Sequence, residues 1–154
     1  MLACGVSNER DPDEPSWDAW RGVVFANSSV LRAVEPLLEK GTGLSLNFLD
    51  VLSRLYDAPD QRLRMQDLSE RALFTRSGMT RLVDRMEKAG YVRRESVPGD
   101  RRGVFVILTP SGEQVFVPAM RQHRSDVERV FGSRLSSEQN RAVGEALAQF
   151  WKPQ

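Results

Sequence analysis

The segment between residues 61 and 108 constrains the fold more than any other part of the chain. It predicts a short strand at Arg62–Met65 and a short helix over Gln66–Leu73. After Thr75, a favourable N-cap, apolar residues recur at the i, i+3, i+4 and i+7 spacing of one helix face. These residues are Met79, Leu82, Val83 and Met86. The pattern predicts an amphipathic helix that begins after Thr75 and ends at Ala89-Gly90.

Two β-branched runs follow this helix. Tyr91–Val97 and Val104–Leu108 are joined by a polar loop, residues 98–103, with turn-forming residues at both ends. We therefore expect a hairpin whose tip carries Arg101 and Arg102. A short helix, a turn, a capped helix and a basic-tipped hairpin together predict a winged helix-turn-helix. The expected class is mainly α with a small β-hairpin wing (α+β).

The charge of the chain is concentrated in this segment. Residues 62–102 hold 11 Lys and Arg against 6 Asp and Glu, whereas residues 1–61 hold 5 against 10. The net charge of the whole chain is only +1. A local excess of basic residues favours an anionic partner at this segment, and double-stranded DNA is the partner that the predicted fold suggests.

Helices are expected on both sides of the winged segment. Residues 1–15 are rich in acidic residues and proline, which predicts a disordered leader before a single domain at 16–151. An apolar stripe predicts a first helix over 16–39, kinked at Pro36 and ended by residues 41–43. The stripe consists of Trp17, Trp20, Val24, Asn27, Leu31, Val34 and Leu38. A second helix should run through residues 44–55 and stop before Ala58-Pro59.

The C-terminal third of the chain predicts two further helices. Thr109 and Pro110 are a favourable start for the first, Pro118 should bend it, and a capping box at Ser136–Gln139 begins the second. The first helix and the last two (16–39 and 109–151) carry more apolar surface than one winged domain can cover. The sequence therefore predicts a homodimer built from them.

A DNA-binding face can be assigned from the helix that follows Thr75. Its polar face carries small hydroxyls and arginine, which can reach bases and phosphates in the major groove, and the hairpin tip can reach the minor groove. Asp100 is expected to orient an arginine, with Arg85 and Arg102 as its candidate partners. The candidate DNA-binding residues are Thr75, Arg76, Ser77, Thr80, Arg81, Arg85, Asp100, Arg101 and Arg102.

Residues 16–151 resemble the MarR family of winged-helix transcription factors. The resemblance rests on the runs RSGMTRLVDR at 76–85, EKAGYVRR at 87–94, DRR at 100–102 and LTPSG at 108–112. It implies a sequence-specific transcriptional regulator, in our interpretation a repressor, that binds a palindromic operator as a homodimer. It also implies release from DNA by a small aromatic or phenolic ligand.

Five residues are candidates for binding such a ligand: Trp17, Trp20, Asn27, Asp50 and His123. Trp20 and Asp50 resemble the Trp and Asp of urate-responsive members of the family, but the arginine expected in the recognition helix aligns near Leu82. Each candidate also has a structural interpretation. The tryptophans can pack against the partner subunit, Asn27 can fix the pairing register, and His123 can be a core residue with its hydrogen bond satisfied.

Other functional classes receive little support from the sequence. One Cys and one His leave no ligand set for a metal, no intramolecular disulfide and no catalytic pair, so we expect no cofactor and no enzyme activity. No apolar run approaches the roughly 20 residues that span a bilayer, so we expect a cytoplasmic protein with no membrane partner. Two alternatives stay open: a winged-helix protein-interaction module without a DNA target, and a redox-sensing regulator that would use Cys4.

Overall fold

A computed structural model describes residues 15–71, 76–97, 99–100 and 103–150 of the chain. For Arg71, Arg76 and Ser77 it describes the backbone alone. Most of the predicted leader at 1–15, with Cys4, lies outside the described residues. So do Thr75 and the hairpin-tip residues Arg101 and Arg102.

The first helix is longer than predicted. α1 spans Pro15–Thr42, with Pro36 inside it, instead of 16–39. It continues past Gly41 and ends where Gly43 adopts a positive φ of 73°, a conformation that costs glycine little. Val34 and Leu38 are its buried residues. The N-terminal half of α1 therefore contributes nothing to the buried core of the subunit.

The second helix and the first strand follow the prediction closely. α2 spans Leu46–Tyr56, and the Ser45 side chain caps it by accepting the Phe48 N–H. After a 3₁₀ turn at Pro59–Gln61, β1 spans Arg62–Arg64 and α3 spans Met65–Arg71. The predicted strand at 62–65 is one residue too long because Met65 already belongs to α3.

The predicted helix and hairpin are confirmed. α4 spans Arg76–Lys88, β2 spans Val92–Ser96 and β3 spans Val104–Leu108. The three strands form one antiparallel sheet in the order β1-β3-β2, so β3 lies in the centre. The fold is mainly helical with a small sheet, as expected.

The two C-terminal helices begin at the predicted caps. α5 spans Pro110–Val130 and the Thr109 hydroxyl accepts the Gly112 N–H. Gly112 is required there because a Cβ at this position would collide with the carbonyl oxygen of Tyr91. α6 spans Ser137–Leu147 and starts at a capping box between Ser136 and Gln139. Short 3₁₀ turns lie before and after α6.

The core of the subunit lies where α2, α3 and α4 pack against the sheet and α5. Its fully buried side chains include Leu38, Val51, Leu52, Leu55, Leu68, Met79, Val83, Met86 and Val106. α1 packs along α5, whereas α6 contains no buried residue. In the part of the chain that the structure describes, no helix is long and apolar enough to cross a membrane.

Candidate nucleic-acid interface

α4 is attached to the core by one face and presents the other outward. Met79, Val83 and Met86 are fully buried, which fixes the rotation of the helix about its own axis. On the outward side, the structure places Thr80 and Arg81 at the surface. Arg81 makes no ion pair within the described residues, so its guanidinium is available to a ligand. The backbone of Arg76 and Ser77 forms the first turn of this helix.

Arg94 on β2 connects the wing to α4. Its Nη1 donates to Glu87 Oε2 at 2.7 Å and its Nη2 lies 2.7 Å from Asp84 Oδ1. Nη2 also donates to the carbonyl oxygen of Thr80 at 3.3 Å, and the Arg94 backbone N–H donates to Glu87 Oε1 at 2.8 Å. One guanidinium therefore pairs with two carboxylates beside the outward face of α4, compensates one of their two negative charges and fixes the base of the wing against that helix.

Sequence reasoning missed this role of Arg94. Alternate residues of a strand point to opposite faces, so only one of Arg93 and Arg94 can face a given partner. Arg94 points to α4, and Arg93 pairs with Glu95 two residues along the same strand, at 2.7 Å. The signal available in the sequence was the pair of acidic residues, Asp84 and Glu87, on the helix just before the strand.

Asp100 is paired with an arginine, as expected, but that arginine is Arg64, which was not among the two candidates. Asp100 Oδ2 accepts from Arg64 Nη1 of β1, at 3.3 Å, and the Arg85 guanidinium instead lies 5.2 Å from the centre of the Phe48 ring. The physical reason is that β1 pairs with β3 where the wing loop ends, whereas Arg85 lies on the side of α4 that faces α2. The other candidate partner, Arg102, lies outside the described residues.

The basic residues of β1 lie beside the wing, and each is paired with a carboxylate, so the two pairs add no net charge there. The Arg62 and Arg64 guanidinium groups lie 5.0 and 5.9 Å from the centre of the Phe105 ring on β3. Arg62 also pairs with Asp60 at 3.1 Å. Both arginine side chains are exposed at this edge of the sheet.

The five candidate ligand residues do not form one site. Asp50 and His123 line a groove of about 480 Å³ between α1, α2 and α5. Asn27 lines another groove, of about 640 Å³, between α1, α5 and α6. Neither groove is lined by Trp17 or Trp20, whose exposed fractions are 55% and 58%. From Trp17 to the part of α1 beside Asp50 the helix rises about 27 Å, which separates the tryptophans from the first groove. The second groove is lined by Ala19 and Gly22 of the same part of α1, so the tryptophans lie on another face of the helix.

His123 is half-buried and differs from the predicted alternative of a satisfied core histidine. Its Nδ1 is shielded from solvent and has no hydrogen-bond partner among the described residues. Burial lowers the pKa of His123 below its ordinary value of 6.5, and the nearby Asp126 carboxylate opposes that shift. The imidazole is therefore neutral at pH 7.

Known proteins share both sequence and fold with this chain. Residues 42–103, from the end of α1 to the wing loop, match the MarR family profile. The MarR family transcriptional regulator AbsC of Streptomyces coelicolor has the same fold, with a TM-score of 0.75 and 30% identity, over 87% of this chain and 90% of AbsC. The chain belongs to the MarR family of transcriptional regulators.

Two further relatives extend this comparison. The structure of Sco3205, another MarR family regulator of S. coelicolor, was solved in complex with DNA. Sco3205 is 33% identical to this chain and has a TM-score of 0.76. The similarity covers 89% of this chain and 88% of Sco3205. The transcriptional regulator PrsX of Escherichia coli is 36% identical over 70 residues, which are 46% of this chain. Since these residues make up only 42% of PrsX, the chain matches less than half the length of that relative.

Proposed function

We propose that this MarR-family chain is a sequence-specific DNA-binding repressor that acts as a homodimer on a palindromic operator and is released by a small aromatic or phenolic ligand. The observation that carries the proposal is the outward face of α4. Arg81 is exposed and unpaired there, while the adjacent carboxylates of Asp84 and Glu87 are held by Arg94. A DNA-bound relative of the same fold, Sco3205, supports this interpretation.

In the proposed complex, α4 enters the major groove and the wing tip contacts the adjacent backbone or minor groove. Guanidinium groups bind phosphates with little regard to sequence, so most of the affinity should fall with salt, whereas contacts to base edges give discrimination. The residues that we assign to this interface are Thr75, Arg76, Ser77, Thr80, Arg81, Arg85, Asp100, Arg101 and Arg102.

The homodimer is supported by apolar surface that the single subunit leaves uncovered. Trp17, Trp20 and Phe25 on α1 and Phe150 after α6 have exposed fractions of 55%, 58%, 62% and 78%. An amphipathic helix with no buried residue, such as α6, gains stability only when a partner covers its apolar face. We therefore assign α1, α5 and α6 to the dimer interface, with Asn27 as a polar residue that fixes the register.

Release by a ligand would be geometric. Two recognition helices must lie about 34 Å apart to occupy successive turns of the same DNA face. The groove that contains Asp50 and His123 lies between helices of the dimer interface (α1 and α5) and a helix of the winged domain (α2). A ligand that binds there more tightly in one arrangement of the two parts shifts their spacing, and with it the affinity for DNA.

The first test is a mobility-shift experiment with the full chain and the DNA that flanks its own coding sequence, at two salt concentrations. Such regulators commonly control themselves or a neighbouring gene. The proposal predicts a salt-sensitive shift that resists competition by unrelated duplex and contains two subunits per operator. The proposal would be contradicted if unrelated competitor DNA abolished the shift as well as the flanking DNA does. It would also be contradicted if the protein shifted no member of a pool of randomised duplexes, and either result would favour a protein-interaction module.

A further inference from the structure

The groove between α1, α2 and α5 has an apolar floor and an acidic rim. Leu31, Leu46, Leu49 and Met120 supply the apolar surface, and no Phe, Tyr or Trp of the described part of the chain lines the groove. Its polar side chains are Glu35, Asn47, Asp50, Ser53 and His123. An apolar cavity of about 480 Å³ with a few convergent polar groups is typical of a small-molecule site.

The charges of this groove do not cancel. Asp50 accepts from Arg54 Nε at 3.0 Å, so its negative charge is compensated. Glu35 is half-buried on α1 and has no ion-pair partner among the described residues. His123 adds no positive charge at pH 7 because burial lowers its pKa. The groove therefore carries the unbalanced negative charge of Glu35 next to an apolar surface.

His123 adds a hydrogen-bonding requirement. Its Nδ1 is shielded from solvent and has no partner within the described residues. A neutral imidazole carries its proton on either nitrogen, and when the proton is on Nε2, Nδ1 is an acceptor that a ligand N–H can satisfy. A ligand with N–H groups meets both requirements at once, whereas a carboxylate has only acceptors and would face the charge of Glu35.

A second groove, on the other flank of the α2–α5 contact, has the opposite charge. It shares Ser53 and Met120 with the acidic groove, and Arg121 and Arg124 lie at its rim. Neither arginine makes an ion pair within the described part of the chain. Adjacent grooves of opposite charge separate ligands by sign, so the neighbouring basic groove is where an organic anion would go.

We propose that the acidic groove binds an organic cation, a protonated amine carried on an apolar body, with its ammonium group beside Glu35 and one N–H directed to Nδ1 of His123. This inference rests on the proposed function, in which the same groove is the effector site, and it specifies the chemical class of the effector. Anionic aromatic acids are excluded from the groove by charge.

The test uses isothermal titration calorimetry with three probes that share one body and differ in the head group: 2-phenylethylammonium, 2-phenylethanol and 3-phenylpropionate. The full chain should bind the ammonium probe most tightly and the carboxylate least. Glu35→Gln should weaken the ammonium probe about tenfold and leave the alcohol unchanged, since one partly desolvated charge pair is lost. Glu39→Gln, one turn further along α1 at an exposed position outside the groove, is the matched control and should change neither.

Three results would overturn the proposal. These are tighter binding of the carboxylate than of the ammonium probe that persists in Arg121→Ala, ammonium binding unaffected by Glu35→Gln in a variant with wild-type thermal unfolding, and no binding of any probe at millimolar concentration. If carboxylate binding disappears in Arg121→Ala, the anion occupies the basic groove instead. The affinity of the same protein preparation for DNA is measured without any probe. This measurement tests the proposed function independently of the ligand class.

Discussion

Arg94 on β2 holds Asp84 on α4 through a contact of 2.7 Å between Nη2 and Oδ1. The same guanidinium also holds Glu87, so one of the two negative charges beside the proposed DNA-binding face is compensated from within the subunit. Arg94 is only 25% exposed at its side chain, which leaves it little opportunity to contact phosphate directly. We assign it a positioning role: it prepares the surface on which Arg81 acts.

This relationship predicts the behaviour of Arg94→Ala. The substitution should weaken DNA binding roughly tenfold, because two carboxylates near the phosphates lose their counter-charge, and should lower the free energy of unfolding by about 1 kcal/mol. Fluorescence anisotropy with a labelled duplex measures the first and urea denaturation the second. Adding Asp84→Asn and Glu87→Gln to Arg94→Ala should restore most of the affinity. If the triple variant binds as weakly as the single one, charge neutralisation is not the role of Arg94.

Substitution of the neighbouring residue, Arg93, is a matched control for Arg94→Ala. Arg93 pairs with Glu95 on its own strand and does not reach α4. Arg93→Ala should therefore change DNA affinity less than Arg94→Ala does. Equal losses in the two variants would mean that the net charge of the wing, and not the contact with α4, determines the affinity.

The wing tip is expected to contribute affinity without sequence discrimination. Arg102→Ala should weaken binding to operator and scrambled duplex by the same factor and should reduce the slope of log affinity against log salt by about one, since one phosphate contact is lost. Titrations at several salt concentrations measure both quantities. An Arg102→Ala protein that binds both duplexes with unchanged affinity would remove the wing from the proposed interface.

His123 predicts the dependence of stability on pH. Its folded-state pKa lies below its ordinary value of 6.5, so the unfolded chain binds a proton more readily than the folded chain does. The stability contributed by the neutral ring is complete above pH 6.5 and is lost as the pH falls towards the folded-state pKa. His123→Gln should flatten this part of the curve, measured as the midpoint of thermal unfolding between pH 5 and 7.5. Since the chain has a single histidine, identical slopes for both proteins would contradict the prediction.

The proposed dimer predicts the effect of a charge on α6. Val143→Glu should dissociate the dimer, because Val143 lines the apolar groove between α1, α5 and α6 and is 38% exposed in the single subunit. Light scattering after size-exclusion chromatography measures the molar mass. Arg141→Glu, on the opposite side of the same helix, is the control and should stay dimeric. A Val143→Glu protein with the wild-type molar mass would exclude α6 from the interface.

Local signals in the sequence predicted the elements well. The caps at Thr109 and Ser136, the amphipathic face of α4 and the two β-branched runs of the hairpin each depend on neighbouring residues, and the structure has all of them. Contacts between distant residues were not predictable in the same way. The pairing of β1 with β3 and the Arg64–Asp100 contact depend on how elements pack, which no local spacing encodes.

The candidate ligand site was likewise only partly predictable from the sequence. The sequence predicted Asp50 and His123 as ligand residues, and packing of α2 against α5 brings them to one groove. It missed Glu35, because a single acidic residue on a long helix gives no sign of which neighbour it will face. It also grouped Asn27 and the tryptophans with them, although the length of α1 places these residues elsewhere.

The measurement that tests the account most directly is the affinity of wild-type and Arg81→Ala protein for operator and for scrambled duplex. Arg81 is the exposed, unpaired guanidinium on the outward face of α4, and a contact to base edges is worth about 1–3 kcal/mol of discrimination. The account predicts that Arg81→Ala loses roughly tenfold or more of the ratio between the two affinities, with a smaller change for scrambled duplex. A ratio equal to that of the wild-type protein would contradict the claim that α4 reads the DNA.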